Sequence, residues 1–224
     1  MSDEQNSPFP VTDRNRVQRV PKRGHYDRDT VYSVIDAAWV GHVGIVDRTT
    51  KHVAVIPLMH AREGDELIFH GAKSSRLIKH LGSGEGISVA FTLVDGLVLA
   101  KSLYHHSMNY RSAVVFGTGR IAESEVERLS SLQSISNKVM PGRWNDARQP
   151  NEKELAGTGI VRVKIDSASA KVRTGDPVDD PEDMGLPIWS GVVPLSESIG
   201  QPLPDGNSEG IAVPKYLQGF GNPA

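Results

Sequence analysis

Apolar positions along the chain fall into runs with two different periods. In YDRDTVYSVIDAAWVG, Val31, Val34, Ile35 and Ala38 recur at helical spacing, which predicts a helix from Asp27 that stops at Gly41. GHVGIVD and HVAVIPL then read as strands joined across RTTK, a hairpin-length connection, and DELIFHG as a third strand after the turn signal REGD. AKSSRLIKHLGSG predicts a short helix with Leu77, Ile78 and Leu81 inward and Gly82 as its stop. GISVAFTLVDGLVLAKS returns to strand, with VDG as a turn or bulge inside it. SAVVFGTGRIAE is a further strand, bent at Gly117 and Gly119. SEVERLSSLQSISNKVM gives the clearest helix. Ser124 and Glu127 have capping-box spacing, and Val126, Leu129, Leu132, Ile135 and Val139 form its stripe. NEKELAG reads as a helical turn, and GIVRVKIDSASAKVR, alternating with period two, as the last core strand.

About six strands and three helices without βαβ alternation predict a mainly β fold: a small antiparallel barrel with peripheral helices. Three regions follow. Residues 1–24, with Pro8, Pro10, Pro21 and Gly24 among many charges, form an extended N-terminal arm, mobile at its start. Residues 25–173 form the barrel domain. Residues 174–224 form a C-terminal wrapping tail, rich in proline and glycine, with an acidic loop (DPVDDPED) and an apolar island (PIWSGVVPL). No internal repeat is visible.

Composition narrows the function classes. A formal net charge of −2 argues against general nucleic-acid binding, which needs a basic excess. No apolar run reaches the roughly 18 residues of a membrane span. The opening MSDEQNSPFP lacks the basic and apolar regions of a signal peptide. Cysteine is absent, which removes disulfides, thiolate catalysis and Cys-ligated metal centres. A cytoplasmic location is the expectation. No Walker A, HExxH or GxSxG pattern occurs. GSGEGISV has clustered glycines but enters a strand, whereas a dinucleotide turn opens a helix whose N-terminus meets the pyrophosphate.

Three segments carry candidate chemistry. FHGAKSSR ends a strand and opens a helix, and brings Lys73, Ser74, Ser75 and Arg76 into one turn. Free backbone N–H groups, hydroxyls and cations at a helix start suit a phosphate, although a solvated Ser-capped helix start has the same residues. YHHSMNYRS precedes a strand. If it is extended, alternation puts His105, Ser107, Asn109 and Arg111 on one face, with neutral donors and acceptors beside a planar cation. Metal binding there would need His60 or His70 to converge with the His pair, and no nearby carboxylate completes a ligand pattern, so no metal site is assigned. A Ser/His nucleophile lacks an elbow and an orienting acid, and a surface turn with two satisfied histidines explains the segment equally well. Trp189, in the tail island, is expected to anchor the tail by burial, to lie against a flat ligand, or to reach across a dimer.

These blocks, in this order, resemble the flavin-nucleotide-binding, pyridoxamine 5′-phosphate oxidase-like family, on the branch of the nitroimidazole-resistance proteins. The resemblance runs from about Arg19 to Leu195, through VPKRGHYD, GHVGIVD, VIPLMHAREGDELIFHGAKSSRL, DGLVLAKSLYHHSMNYRSAVVFG and SAKVRTGDPVDD…LPIWSGVVPL. It implies an FMN-binding split β-barrel, a homodimer, and FMN at the dimer interface. It assigns Lys73, Ser75 and Arg76 to the flavin phosphate and the backbone of Ile56, Pro57 and Leu58 to the isoalloxazine edge. His106, Ser107, Asn109 and Arg111 fall in the block that approaches the flavin, often from the partner subunit. His70, in the FH block, lines the ligand pocket, and Trp189 is a candidate lid.

Two departures from the family pattern matter. The oxidases named for pyridoxamine phosphate carry a C-terminal basic motif, whereas AVPKYLQGFGNPA has Lys215 alone. Their flavin strand starts with an Arg, which AVIPLMH lacks. Relatives on this scaffold bind haem or a deazaflavin, and His60, His70, His105 and His106 keep haem open. The resulting expectation is an FMN-dependent oxidoreductase acting on a small organic molecule such as a nitro compound or quinone. Its competitors are a non-enzymatic flavin- or haem-binding module and a cofactor-free structural dimer. No catalytic protein residue is assigned, since a flavin carries the electron chemistry itself.

Overall fold

The structure, a computed structural model, describes residues 7–46 and 50–218. The mobility expected at the start of the arm, and Arg48 and Thr49 of the first hairpin link, lie outside the described residues.

Helix α1 (Arg28–Ala37) starts at Asp27, whose carboxylate accepts a 2.8 Å hydrogen bond from the Thr30 N–H. That satisfies one of the free donors of the first turn and contributes about 1 kcal/mol. Val31, Val34 and Ile35 are buried on its inner face. The helix ends four residues before Gly41, which instead sits in strand β2 (Val40–Val46). A Cβ at Gly41 would lie 2.8 Å from the Phe91 ring, so the glycine serves packing and not helix termination.

β2 pairs with β3 (Val53–Met59) as the predicted hairpin. β4 (Ala61–Glu63) and β5 (Glu66–Ala72) form a second hairpin through Gly64 at φ 53°. Helix α2 (Arg76–Leu81) follows, with Gly82 at its C-cap as the sequence suggests. β6 (Ser83–Leu99) and β7 (Ser107–Ile121) are long paired strands, and their register shifts between Val94 and Gly96, within the VDG segment. Helices α3 (Glu125–Val139), α4 (Arg143–Asp146) and α5 (Glu152–Gly157) lead to β8 (Thr158–Arg173). Two short strands complete the sheet: β1 (Gly24–His25) on β8, and β9 (Gly191–Pro194) on β6.

All pairings are antiparallel, in the order β3-β2-β6-β7-β8-β5-β4. Among the described residues the end strands β3 and β4 do not pair with each other, so the sheet curls without closing. This is the split-barrel architecture. Its interior holds Leu67, Phe69, Phe91, Val115 and Val163, with α1 and α2 packed against them. The arm joins this core: Phe9 is buried in it, and Asn15 Nδ2 donates to the carbonyls of Pro10 (2.9 Å) and Ala168 (3.1 Å).

β8 departs from strict alternation. Gly159–Val163 are all buried, because α3 covers the face of β8 turned away from the barrel interior. Arg162 on that face bonds Glu63 (2.8 Å), Glu66 (2.7 Å) and Ser131 (3.0 Å), and so clamps α3 to the sheet. The clamp occupies only the middle of α3, with Ile135 and Leu132 beside it. Val126 at 79% exposure and Val139 at 45% fall outside the contact, contrary to the predicted stripe. Ser124 does accept from the Glu127 N–H, but the Glu127 side chain turns to Arg120, so the capping box is half made.

Candidate functional site

The candidate residues fall into two groups, with the β3 edge at Ile56–Leu58 apart from both along the sheet order. The first lies where β5 runs into α2. Ser75 is the N-cap of α2, but its hydroxyl makes no capping bond there, and Lys73 and Arg76 are exposed beside it. A cavity of about 540 Å³ opens next to Lys73, with Lys79 and Arg128 as further cations and Ile121, Ala122 and Ile160 as apolar wall. Lys79 and Arg128 are missed by motif reasoning, because they join the turn only through the fold. Glu123 also lines this cavity.

His70 sits on β5 opposite Ile160, and so next to the same wall. Its Nδ1 is buried without a hydrogen-bond partner, and burial lowers its pKa, which keeps the imidazole neutral. A neutral ring nitrogen with a free lone pair is the form that ligates iron. His60 also has an unpartnered Nδ1, but it is 1% exposed, its Nε2 lies 2.9 Å from the Ile35 carbonyl, and its ring is 4.7 Å from that of Phe91. No face of that ring is open to a macrocycle. His105 is paired with Asp180 at 3.1 Å, and His106 Nε2 lies 3.2 Å from the Ala100 carbonyl. Of the four histidines, His70 alone combines a half-buried ring with a buried nitrogen that no protein group claims. No cluster of three or more His, Cys, Asp or Glu able to hold a metal ion occurs among the described residues.

Ile56, Pro57 and Leu58 lie on β3, which among the described residues is an edge strand with no partner beyond β2. Alternate backbone groups there point away from the sheet, and Pro57 is tolerated because an edge need not donate at every position. Such an open backbone edge can meet the hydrogen-bonding edge of a flat heterocycle.

The second group lies at the start of β7. Ser107 and His106 are exposed, and Asn109 donates to the Gly175 carbonyl and accepts from Arg173. Arg111 donates through Nε and Nη2 to Asp95 at 2.9 and 2.7 Å, inside the bulge, and this pairing holds the Asp95 carboxyl below its usual range. Asp95 and Arg173 are the partners that the motif alone does not reveal. Trp189 is 66% exposed with its ring against Gly191, so within one chain it does not anchor the tail by burial as expected.

One chain does not bring the two groups together. Ser107 begins β7 and Ile121, which lines the Lys73 cavity, ends it. Fifteen residues at about 3.3 Å each make that strand about 50 Å long if straight, and longer than a flavin mononucleotide even when bent.

The family profile described as pyridoxamine 5′-phosphate oxidase matches residues 27–172. The chain belongs to this family. Among solved structures, the flavocytochrome Anf3 from Azotobacter vinelandii is 33% identical, covers 95% of this chain and 99% of its own, and superposes with a TM-score of 0.87. The FAD and haem binding protein from Mycobacterium smegmatis is 31% identical over 89% of this chain and 97% of its own, with a TM-score of 0.83. A Bacteroides thetaiotaomicron protein named for 5-nitroimidazole antibiotic resistance is 23% identical over 66% of this chain and 86% of its own, with a TM-score of 0.56, and shares the fold. No curated protein matches.

Proposed function

We propose that this pyridoxamine 5′-phosphate oxidase-like protein binds a flavin and a haem and moves electrons between the flavin and a small acceptor such as a quinone or nitro compound. The observation that carries this reading is the extent of the likeness. The flavocytochrome covers 95% of this chain and the FAD and haem binding protein 89%, so both likenesses reach into the tail and the first also into the arm, whereas the family profile ends at residue 172. The second of these names favours FAD over the FMN that the resemblance implies. No helix among the described residues is long and apolar enough to cross a membrane. A cytoplasmic location belongs to the same reading and rests on the absence of cysteine.

Bound flavin would supply one- and two-electron transfer, and haem one-electron transfer. The protein supplies the surroundings. Lys73 and Arg76 offset the phosphate charge, and the Ser75 hydroxyl offers it a hydrogen bond. The β3 edge at Ile56–Leu58 positions the ring. His70 would be the residue that holds the haem iron. The His106–Arg111 block and Trp189 approach the flavin of a second copy, which makes the working unit a homodimer.

Absorption spectra test this. The protein as purified, or reconstituted, should show flavin bands and a haem Soret band. His70→Ala should lose the Soret band and keep the flavin. Lys73→Ala with Arg76→Ala should weaken flavin retention by about 100-fold and keep the haem. A protein that takes up neither group would overturn the proposal, and one whose haem survives His70→Ala would remove His70 from it.

A further inference from the structure

The N-terminal arm forms one wall of a groove that the sites above do not use. The groove is about 290 Å³ and runs between residues 14–19 and the outer face of β7 and β8. Arg14, Arg16, Arg19 and Lys171 line it, and no Asp or Glu does among the described residues. Asp13 approaches Arg16 at 3.8 Å from outside, with both side chains exposed. Four cations therefore gather at one place on a chain of net charge −2.

The floor is built for more than charge. The strand register puts Phe116 opposite Ser167, Val114 opposite Ser169, and Ser112 opposite Lys171. Ala168 and Ala170 point into the core, so Ser169 and Lys171 face outward into the groove. The Arg14 guanidinium lies over the Phe116 ring at 4.6 Å, a stacking that leaves its N–H edge free to donate in plane. The wall is fixed, because Asn15 is buried and bonded to β8.

Planar cations, hydroxyls and a small apolar floor in a space of this size match a nucleotide phosphate group and its sugar. We propose that this groove binds the diphosphate of a nucleotide. Two sources share that chemistry: the ADP half of a flavin dinucleotide, and a pyridine dinucleotide acting as electron donor. The first source rests on the flavin reading above; the groove itself does not.

The test uses the full chain, with ADP, FMN, FAD and NADPH each titrated by calorimetry. Two variants are compared with the wild type: Arg19→Gln/Lys171→Gln, which keeps the Arg14 stack, and the same pair with Arg14→Gln. Circular dichroism and Tm confirm that both fold. ADP should bind the wild type and bind the variants about 100-fold more weakly, with the loss reduced at high salt. A fall in the FAD-to-FMN affinity ratio in the variants assigns the groove to the flavin. An unchanged ratio with weakened NADPH binding assigns it to the donor. ADP that does not bind, or that binds the variants as well as the wild type, overturns the groove whatever FMN does. ADP binding with no FMN or FAD binding keeps the groove and overturns the flavin reading instead.

Discussion

His60 is held neutral inside the barrel wall, and this gives the fold a definite acid response. Burial pushes its pKa from 6.5 down to about 4. Between those values the unfolded chain takes up a proton that the native state does not, so stability rises with pH in that window. The contribution is complete above about pH 6.5 and is lost as pH falls toward 4, amounting to about 3 kcal/mol. His60→Gln can still donate to the Ile35 carbonyl but cannot titrate. Its unfolding free energy should fall less than that of the wild type between pH 6.5 and 4.5, by urea melts at each pH. Parallel pH profiles for the two proteins would show that His60 does not titrate as its burial implies. Residue identity alone pointed to the histidines but could not separate them. His70, with an unpartnered buried nitrogen on a half-buried ring, differs from His60 and His106 only through tertiary contacts. Arg111 reads in sequence as a free planar cation, yet Asp95, sixteen residues away, takes its Nε–Nη2 edge.

At the scale of elements, patterns that depend on neighbours in sequence were legible, and those that depend on a covering partner were not. The Asp27 cap, the VDG bulge and the Gly82 stop are local chemistry, and all are present. The three-residue β4 and four-residue β9 are too short to show a period, and exist because longer strands offer an edge to them. The bend expected at Gly117 has a concrete origin. A Cβ there would lie 1.9 Å from the Lys164 carbonyl oxygen, and at Gly119 2.0 Å from that of Leu81. Backbone cannot yield cheaply at such distances. Gly117→Ala should lose about 3 kcal/mol or more, or fail to fold, whereas Gly157→Ala, which meets nothing within 4 Å, should stay within about 1 kcal/mol of the wild type. Thermal melts of the two compare the sites directly. The α3 clamp makes a parallel case. Arg162→Ala leaves Glu63 and Glu66 facing each other without their buried cation and should cost about 3–5 kcal/mol, against less for Arg162→Met, which fills the space. Equal losses in the two variants would mean that the arginine stem, and not its charge, holds the helix.

For the molecule as a whole, the separation of the two candidate groups along β7 and the apolar outer face of the β2–β3 hairpin lead to one arrangement. Val53 at 74% exposure and Val55 at 62% stand on an edge strand, and the register sets Val46 beside Val53 and Val40 beside Met59. An exposed apolar edge of this kind invites pairing and aggregation unless something covers it. In the homodimer proposed above, a second copy of the chain covers it, and the shared site requires the start of one β7 to approach the phosphate turn of the other. The covering and the completion of the site then have a single cause, and a change to one must move the other. Val53→Glu with Val55→Glu places two like charges on the face without touching Lys73, Ser75 or Arg76. In sedimentation, the wild type should run at twice 24.3 kDa and the variant at 24.3 kDa. Flavin retention should fall at least 10-fold in the same variant, because each site loses the wall its partner supplied. A monomeric wild type that holds flavin tightly would refute the shared site and leave the phosphate turn to act alone. A variant that stays dimeric but loses flavin would place the edge at the cofactor and not at the partner.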